Sequence, residues 1–199
     1  MKERIRRILE EEALAIKGIP VTDEFEKAIA VIHHHVHVLN GKLITSGMGK
    51  AGQIADNIAT TFSSTGTAAV FLHPSEAQHG DLGILQSNDI FLLISNSGKT
   101  REIVELVDLK NNLFPSVPVI LITGSPDTQL ALNADCCLTT GNPQEVCPLG
   151  LTPTTSTTAF TVIGDALVVV MMEKIGFTKA DYAKRHHGGY LGAKSRSAR

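Results

Sequence analysis

Apolar residues recur in two ways along this 199-residue chain, and the change from one to the other divides it. Ile5, Ile8, Leu9, Leu14 and Ile16, then Phe25, Ile29, Ile32, Val36 and Leu39, fall at roughly helical spacing and predict two leading helices. Thr22 or Asp23 stands where the second would be capped. Beyond residue 40, short unbroken apolar runs alternate with helix-length segments. The runs predict strands at 42–46, 68–72, 89–94, 117–123 and 135–139, and the segments between them predict helices at 50–64, 100–113, 127–134 and 154–174.

Runs such as Val117-Pro118-Val119-Ile120-Leu121-Ile122 do not alternate with polar residues, as expected of strands covered on both faces by helices. The order predicts an α/β domain with a mainly parallel sheet between helical layers. In such sheets ligands sit beyond the carboxyl ends of the strands. The domain is expected over residues 1–192, with no internal repeat. The basic end Ala193-Lys194-Ser195-Arg196-Ser197-Ala198-Arg199 is expected to be a disordered tail.

Charge and composition narrow the partners. A net charge of -2 lacks the surplus of Lys and Arg that phosphate-backbone binding uses, so no nucleic-acid partner is expected. Cys136, Cys137 and Cys147 form neither a C-x-x-C pair nor an even set, which favours neither a disulfide framework nor structural zinc and suggests a reducing compartment. The first residues do not match a secretory signal, and no run approaches the ~18 apolar residues of a membrane span. A cytoplasmic protein with a small-molecule partner and no membrane contact is the expectation.

Two turns carry the chemistry. Ser46-Gly47-Met48-Gly49-Lys50 follows the first predicted strand, and Ser95-Asn96-Ser97-Gly98-Lys99-Thr100 follows the third. Each leads into a helix, whose first N–H groups lack intrahelical acceptors and carry a partial positive charge. Hydroxyls and glycines there suit a phosphate. Singly, Ser46, Ser95, Ser97 and Thr100 read as helix caps. Together with Thr65-Gly66-Thr67 and with Thr154-Thr155-Ser156-Thr157-Thr158 opening the last long helix, they favour phosphate binding. Gly47-Met48-Gly49-Lys50-Ala51-Gly52 also fits G-x-G-x-x-G, but the following strand ends in Leu72-His73-Pro74 without the acid that a ribose hydroxyl needs. Gly98-Lys99-Thr100 echoes a P-loop, but Leu93 stands where its first glycine belongs.

Histidines fall in three places. His33, His34, His35 and His37 share the second helix, where a solvated or interface face is favoured over a metal site. His73 and His79 flank Pro74-Ser75-Glu76-Ala77-Gln78, and His186-His187 precede Gly188-Gly189. Histidines in loops beside glycine are frequent in functional sites. Glu102, in the first turn after the second serine-rich motif, and Glu145, in a loop, read singly as a dipole partner and a surface charge. Beside a lysine and histidines in one pocket, they become acid–base candidates.

Taken in order, Ser46 to Lys50, Phe62-Ser63-Ser64-Thr65-Gly66-Thr67, His73 to Gly83, Ile94 to Gly98, Cys147-Pro148-Leu149-Gly150-Leu151-Thr152-Pro153-Thr154 and His186-His187-Gly188-Gly189 closely resemble sugar isomerase (SIS) domain proteins. Within them they resemble the D-arabinose 5-phosphate isomerases that supply the octulosonate of lipopolysaccharide. The resemblance runs from about residue 5 to 192. His187 departs from the pattern, which has proline there. The chain also ends without the regulatory pair of domains that many relatives carry, so any feedback is expected at the isomerase domain itself, with a cytidylylated octulosonate (CMP-octulosonate) as the competing ligand.

The resemblance implies a five-stranded parallel sheet and a homotetramer whose sites are completed by neighbouring subunits. It implies Lys50, Glu102, Glu145 and His186 as the essential polar set, with His79 facing the sugar and Gly66 and Thr67 among the substrate-binding residues. It also implies that zinc, where it acts, is inhibitory and met by His73. Interconversion of D-ribulose 5-phosphate and D-arabinose 5-phosphate through an enediolate needs a carbon base, a proton relay and a charge at the oxyanion, and no redox cofactor or metal. Ser46, Ser95, Ser97 and Thr100 would hold the phosphate, Glu145 or Glu102 would be the base, His186 the relay and Lys50 the charge. A 6-phosphohexulose isomerase and a non-catalytic sugar-phosphate sensor are the rival expectations.

Overall fold

A computed structural model describes residues 1–196. Five strands, β1 (Leu43–Gly47), β2 (Ala69–Phe71), β3 (Ile90–Ile94), β4 (Val119–Thr123) and β5 (Cys136–Thr139), form one parallel sheet in the order β2-β1-β3-β4-β5. Every position of β1, β3 and β4 is buried, which accounts for the unbroken apolar runs of β3 and of β4 up to Ile122; in β1 the burial extends past Leu43 and Ile44 to Thr45, Ser46 and Gly47. At the edge of the sheet, β5 buries Cys136 and Leu138 and half-exposes Cys137 and Thr139.

Helices cover both faces. Leu43, Ile90, Leu92, Ile94, Ile120 and Ile122 point to one layer, made by α2 (Asp23–Ile32), α3 (Gly49–Ser64) and α7 (Thr155–Lys174). Ile44, Phe91, Leu93, Val119 and Leu121 point to the other, where they meet α4 (Pro74–Ala77), α5 (Arg101–Leu113) and α6 (Gln129–Leu132). Successive strand residues therefore feed two separate cores, and one apolar run does the work of two amphipathic ones.

Four details differ from the sequence expectations. The second leading helix stops being α-helical at Ile32 and continues as a π-helical turn, His33–Val38, closed by Asn40 at φ 55°. Thr22 occupies its cap position without a side-chain hydrogen bond. After α7 the chain adds α8 (Lys179–Arg185), opened by a reciprocal Thr178–Asp181 capping box, and α9 (Gly189–Arg196). The stretch expected to be disordered is thus helical as far as Arg196, and Ser197 to Arg199 lie outside the described residues. Finally, α7 is 20 residues long and apolar enough to cross a membrane by length and composition, contrary to the reading of the runs. Half of its apolar window is buried in the domain, where Phe160, Ile163 and Leu167 join the core.

The first helix, α1 (Lys2–Lys17), buries none of its residues completely and lies against α7.

Candidate active site

In a sheet of this order the connections leave β1 and β3 toward opposite faces, which opens a crevice at the carboxyl ends of those two strands. A cleft of about 400 Å³ lies there, entered by the first residues of three helices. Met48, Lys50 and Ala51 come from the start of α3, Ser95, Asn96, Ser97 and Thr100 from the turn into α5, and Ser156, Thr157 and Phe160 from the start of α7.

The β1–α3 turn is fixed by contact between backbones. A Cβ on Gly47 would lie 2.8 Å from the carbonyl carbon of Ala51, and one on Gly52 would lie 2.5 Å from the Gly47 carbonyl oxygen. Gly49 takes φ 57°, a left-handed conformation that glycine adopts without strain. The glycine spacing that matches a dinucleotide fingerprint thus serves close strand–helix packing, and it delivers Lys50 to the cleft on the first turn of α3.

The β3–α5 turn has its own internal bonds. Ser95 Oγ and Thr100 Oγ1 lie 2.9 Å apart, the Gly98 N–H donates to the Ser95 carbonyl at 3.2 Å, and the Lys99 N–H donates to Ser97 Oγ at 3.2 Å. Gly98 has φ 60° and packs directly on the Thr128 side chain.

At the third helix the position is already filled. Glu145 Oε2 accepts from the Thr154 N–H at 2.6 Å, from Thr154 Oγ1 at 2.8 Å and from the Ser156 N–H at 3.4 Å, while Oε1 accepts a short hydrogen bond from Ser156 Oγ. Burial alone would raise the Glu145 pKa; hydrogen bonds from Ser156 and Thr154 outweigh it and hold the carboxyl below its ordinary value. An ionised Glu145 therefore neutralises the start of α7, and the positive ends of α3 and α5 are left for a ligand.

Two residues on, Cys147 Sγ accepts from the Leu151 and Thr152 N–H groups at 3.3 and 3.2 Å. These backbone donors, Thr152 first, bring its thiol down to about 7. The loop they close supplies Gly150, Leu151 and Pro153 to the cleft.

A larger groove, about 1220 Å³, runs on the far side of Gly98 and Lys99. It carries Asp108, Asp127 and Asp135, and one of its two lysines, Lys110, donates to the Pro115 and Val117 carbonyls. That charge balance disfavours a phosphate, so the smaller cleft is the candidate site despite its size.

One chain brings Lys50, Ser95, Ser97, Thr100 and Glu145 together and leaves the other expected residues elsewhere. Ser46 is fully buried and donates its hydroxyl to the Leu72 carbonyl at 2.7 Å, so it ties β1 to the end of β2 and does not reach the cleft. Gly66 and Thr67 lie between α3 and β2 at the amino edge of the sheet. Gly66 packs on the Phe177 ring, and Thr67 Oγ1 lies 3.1 Å from His37 Nε2.

Glu102 is half-buried in the first turn of α5, two residues past Thr100, with no hydrogen bond or ion pair among the described residues. His79 is exposed in the turn after α4. His73 starts that segment with its Nδ1 buried and unpartnered. Among the described residues no group of three or more metal-binding side chains forms around it or anywhere else. His186 closes α8, its ring stacked 3.7 Å from that of Tyr182 and its Nδ1 3.1 Å from the Tyr182 carbonyl, away from the cleft. Sequence reasoning passed over Ser125, although Gly124-Ser125 follows β4 just as the two recognised motifs follow β1 and β3.

The SIS domain family profile matches residues 40–170. Among curated proteins, the arabinose 5-phosphate isomerase KdsD of Yersinia pestis is 44% identical over 186 residues, 94% of this chain and 55% of that protein. KdsD of Escherichia coli K12 is 49% identical over 154 residues, 77% of this chain and 46% of that protein. The chain thus spans about half the length of the curated relatives it matches. Among solved structures, a candidate phosphosugar isomerase involved in capsule formation from Bacteroides fragilis is 65% identical with a TM-score of 0.94, covering 96% of this chain and 99% of that one. An Escherichia coli CFT073 protein in complex with arabinose 5-phosphate is 35% identical with a TM-score of 0.85, covering 92% and 95%.

Proposed function

Because the chain belongs to the SIS domain family, we propose that its cleft is the active site of an aldose–ketose isomerase that interconverts D-ribulose 5-phosphate and D-arabinose 5-phosphate. One observation carries the reading: the N-terminus of α5, lined by Ser95, Ser97 and Thr100, and that of α3 open on the same cleft as Lys50 and Glu145. The names of the curated relatives and the ligand of the CFT073 structure support the substrate.

The 5-phosphate sits between the starts of α3 and α5, and this anchoring fixes the carbonyl end of the open chain for reaction. A carboxylate removes the proton from the carbon beside the carbonyl, the enediolate forms, and the proton returns to the neighbouring carbon. Lys50 carries the charge that stabilises the oxyanion. Hydrogen bonding supports Glu102 over Glu145 as the base. Glu145 is committed to four donors that favour its ionised form and weaken it as a base. Glu102 is uncommitted and stands two residues past the cleft-lining Thr100, outside the lining of its own chain; it is the carbon base, reaching the sugar once a neighbouring subunit completes the site.

His186 opens the ring and relays oxygen protons from a neighbouring subunit of a homotetramer, since in its own chain it faces Tyr182. The product feeds an octulosonate of lipopolysaccharide or a related surface glycan, and CMP-octulosonate competes at the same cleft. Phosphorylated sugars are made and consumed inside the cell, which places the protein in the cytoplasm.

The test offers ribulose 5-phosphate and 6-phosphohexuloses side by side in deuterium oxide. Turnover of the pentulose with label at C2 supports the reading. Turnover of the hexulose alone points to the hexulose isomerase, and binding without turnover points to the sensor. Glu102→Gln should abolish label exchange while Glu145→Gln retains some; the reverse order would reassign the base. Calorimetry showing no heat with CMP-octulosonate would remove the feedback ligand.

A further inference from the structure

The residue after Glu145 is gripped on both sides of its backbone by groups that lead to α1. Arg4 Nη2 donates to the Val146 carbonyl at 3.0 Å, and the Val146 N–H donates to Thr155 Oγ1 at 3.2 Å. The Thr155 hydroxyl in turn donates to Glu12 Oε1 at 3.2 Å. Thr155 is buried and is the first residue of α7, next to the Thr154 and Ser156 groups that hold the Glu145 carboxylate. The other Glu12 oxygen, Oε2, is buried with no hydrogen-bond partner. A polar atom in that state is costly and needs an explanation. Arg4 and Glu12 stand on one helix that contributes nothing fully buried to the core, so its sequence is poorly accounted for by packing.

We infer that Arg4 and Glu12 of α1 are positioning residues for the reaction, clamping Val146 so that Glu145 and the loop 145–154 keep their place at the cleft. The inference rests on the proposed isomerase reading. Neither side chain touches the sugar. Arg4 fixes the carbonyl of Val146, and Glu12 orients the Thr155 hydroxyl so that its lone pair faces the Val146 N–H. Positions displaced by about 1 Å can cost a site as much as 100-fold in rate, and with Leu149 and Leu151 largely exposed, the loop is held by polar bonds and not by apolar packing.

Three variants of the full chain test the clamp: Arg4→Met, Glu12→Leu and Glu12→Gln, the last of which keeps an acceptor for Thr155. With ribulose 5-phosphate, Arg4→Met and Glu12→Leu should lower kcat by about 10- to 100-fold while KM moves by less than about twofold, because phosphate anchoring is untouched. Glu12→Gln should restore most of the rate. Amide hydrogen exchange in the peptide covering residues 143–154 should quicken in the first two variants and not in the third.

Unchanged kcat with unchanged exchange overturns the inference, as does a lowered melting temperature with kcat preserved below the melt. A Glu12→Gln variant as slow as Glu12→Leu overturns the hydrogen-bonding role of Glu12. If the unmodified chain turns over no sugar phosphate, the isomerase reading fails instead, and the exchange measurement alone decides whether the clamp exists.

Discussion

At the scale of single residues, the candidate site depends on atoms that are absent as much as on those present. Gly47 and Gly52 face each other so closely that Gly52→Ala would drive a methyl group into backbone, which cannot move aside as a side chain would. The expected cost is about 1–3 kcal/mol, read as a lower urea midpoint at unchanged m-value. The glycine motif was legible in the sequence, but its meaning was not, since a phosphate cradle and a tight strand–helix junction use the same spacing. Ser46 shows the same limit: a serine at a strand tip reads as a ligand for phosphate until the Leu72 carbonyl is found 2.7 Å from its hydroxyl. Glu145 was legible as a polar residue in a loop, while its four donors come from residues 9 and 11 positions later and only folding brings them together.

Secondary elements were read more faithfully, because continuous burial of β3 and β4 leaves a clear apolar run in the sequence. The helices α8 and α9 were missed for the opposite reason. They are short and polar, and α8 announces itself only through Thr178-Lys179-Ala180-Asp181. The π-helical turn after α2 has no signature in spacing, since its four histidines break no periodicity. It has a measurable consequence. His37, beside Thr67 and stacked 5.5 Å from His33, has its pKa lowered by burial first and by the His33 charge second.

A histidine whose folded pKa lies below its unfolded value binds fewer protons in the native state, so stability is lost as pH falls from about 6.5 toward the folded value. The wild-type melting temperature should therefore drop between pH 7.5 and 5.5, and His37→Gln should flatten that slope. An equal slope in both proteins would remove His37 as its source.

Across the whole molecule, the resemblance implies one domain whose site is completed by neighbouring subunits, and one chain holds part of the expected site. Lys50 and Glu145 meet, whereas His186 does not join them. Leu9 of α1 and Val169 and Val170 of α7 remain 65, 52 and 45% exposed, and exposed apolar side chains on two packed helices suit burial against another copy. Light scattering should give a mass about four times 21.3 kDa, as the proposed homotetramer requires. Leu9→Asp should lower that mass, and a site that borrows His186, as proposed, should then lose activity on dilution. A monomeric chain with full activity would contradict the shared site.

The neutralised start of α7 has a further effect on what the cleft admits. The donors at that helix start are taken by the Glu145 carboxylate, so the cleft offers free helix N–H groups to a phosphate only at α3 and α5. A pentose bisphosphate would press its second phosphate against Glu145, and such sugars should be rejected without any steric gate.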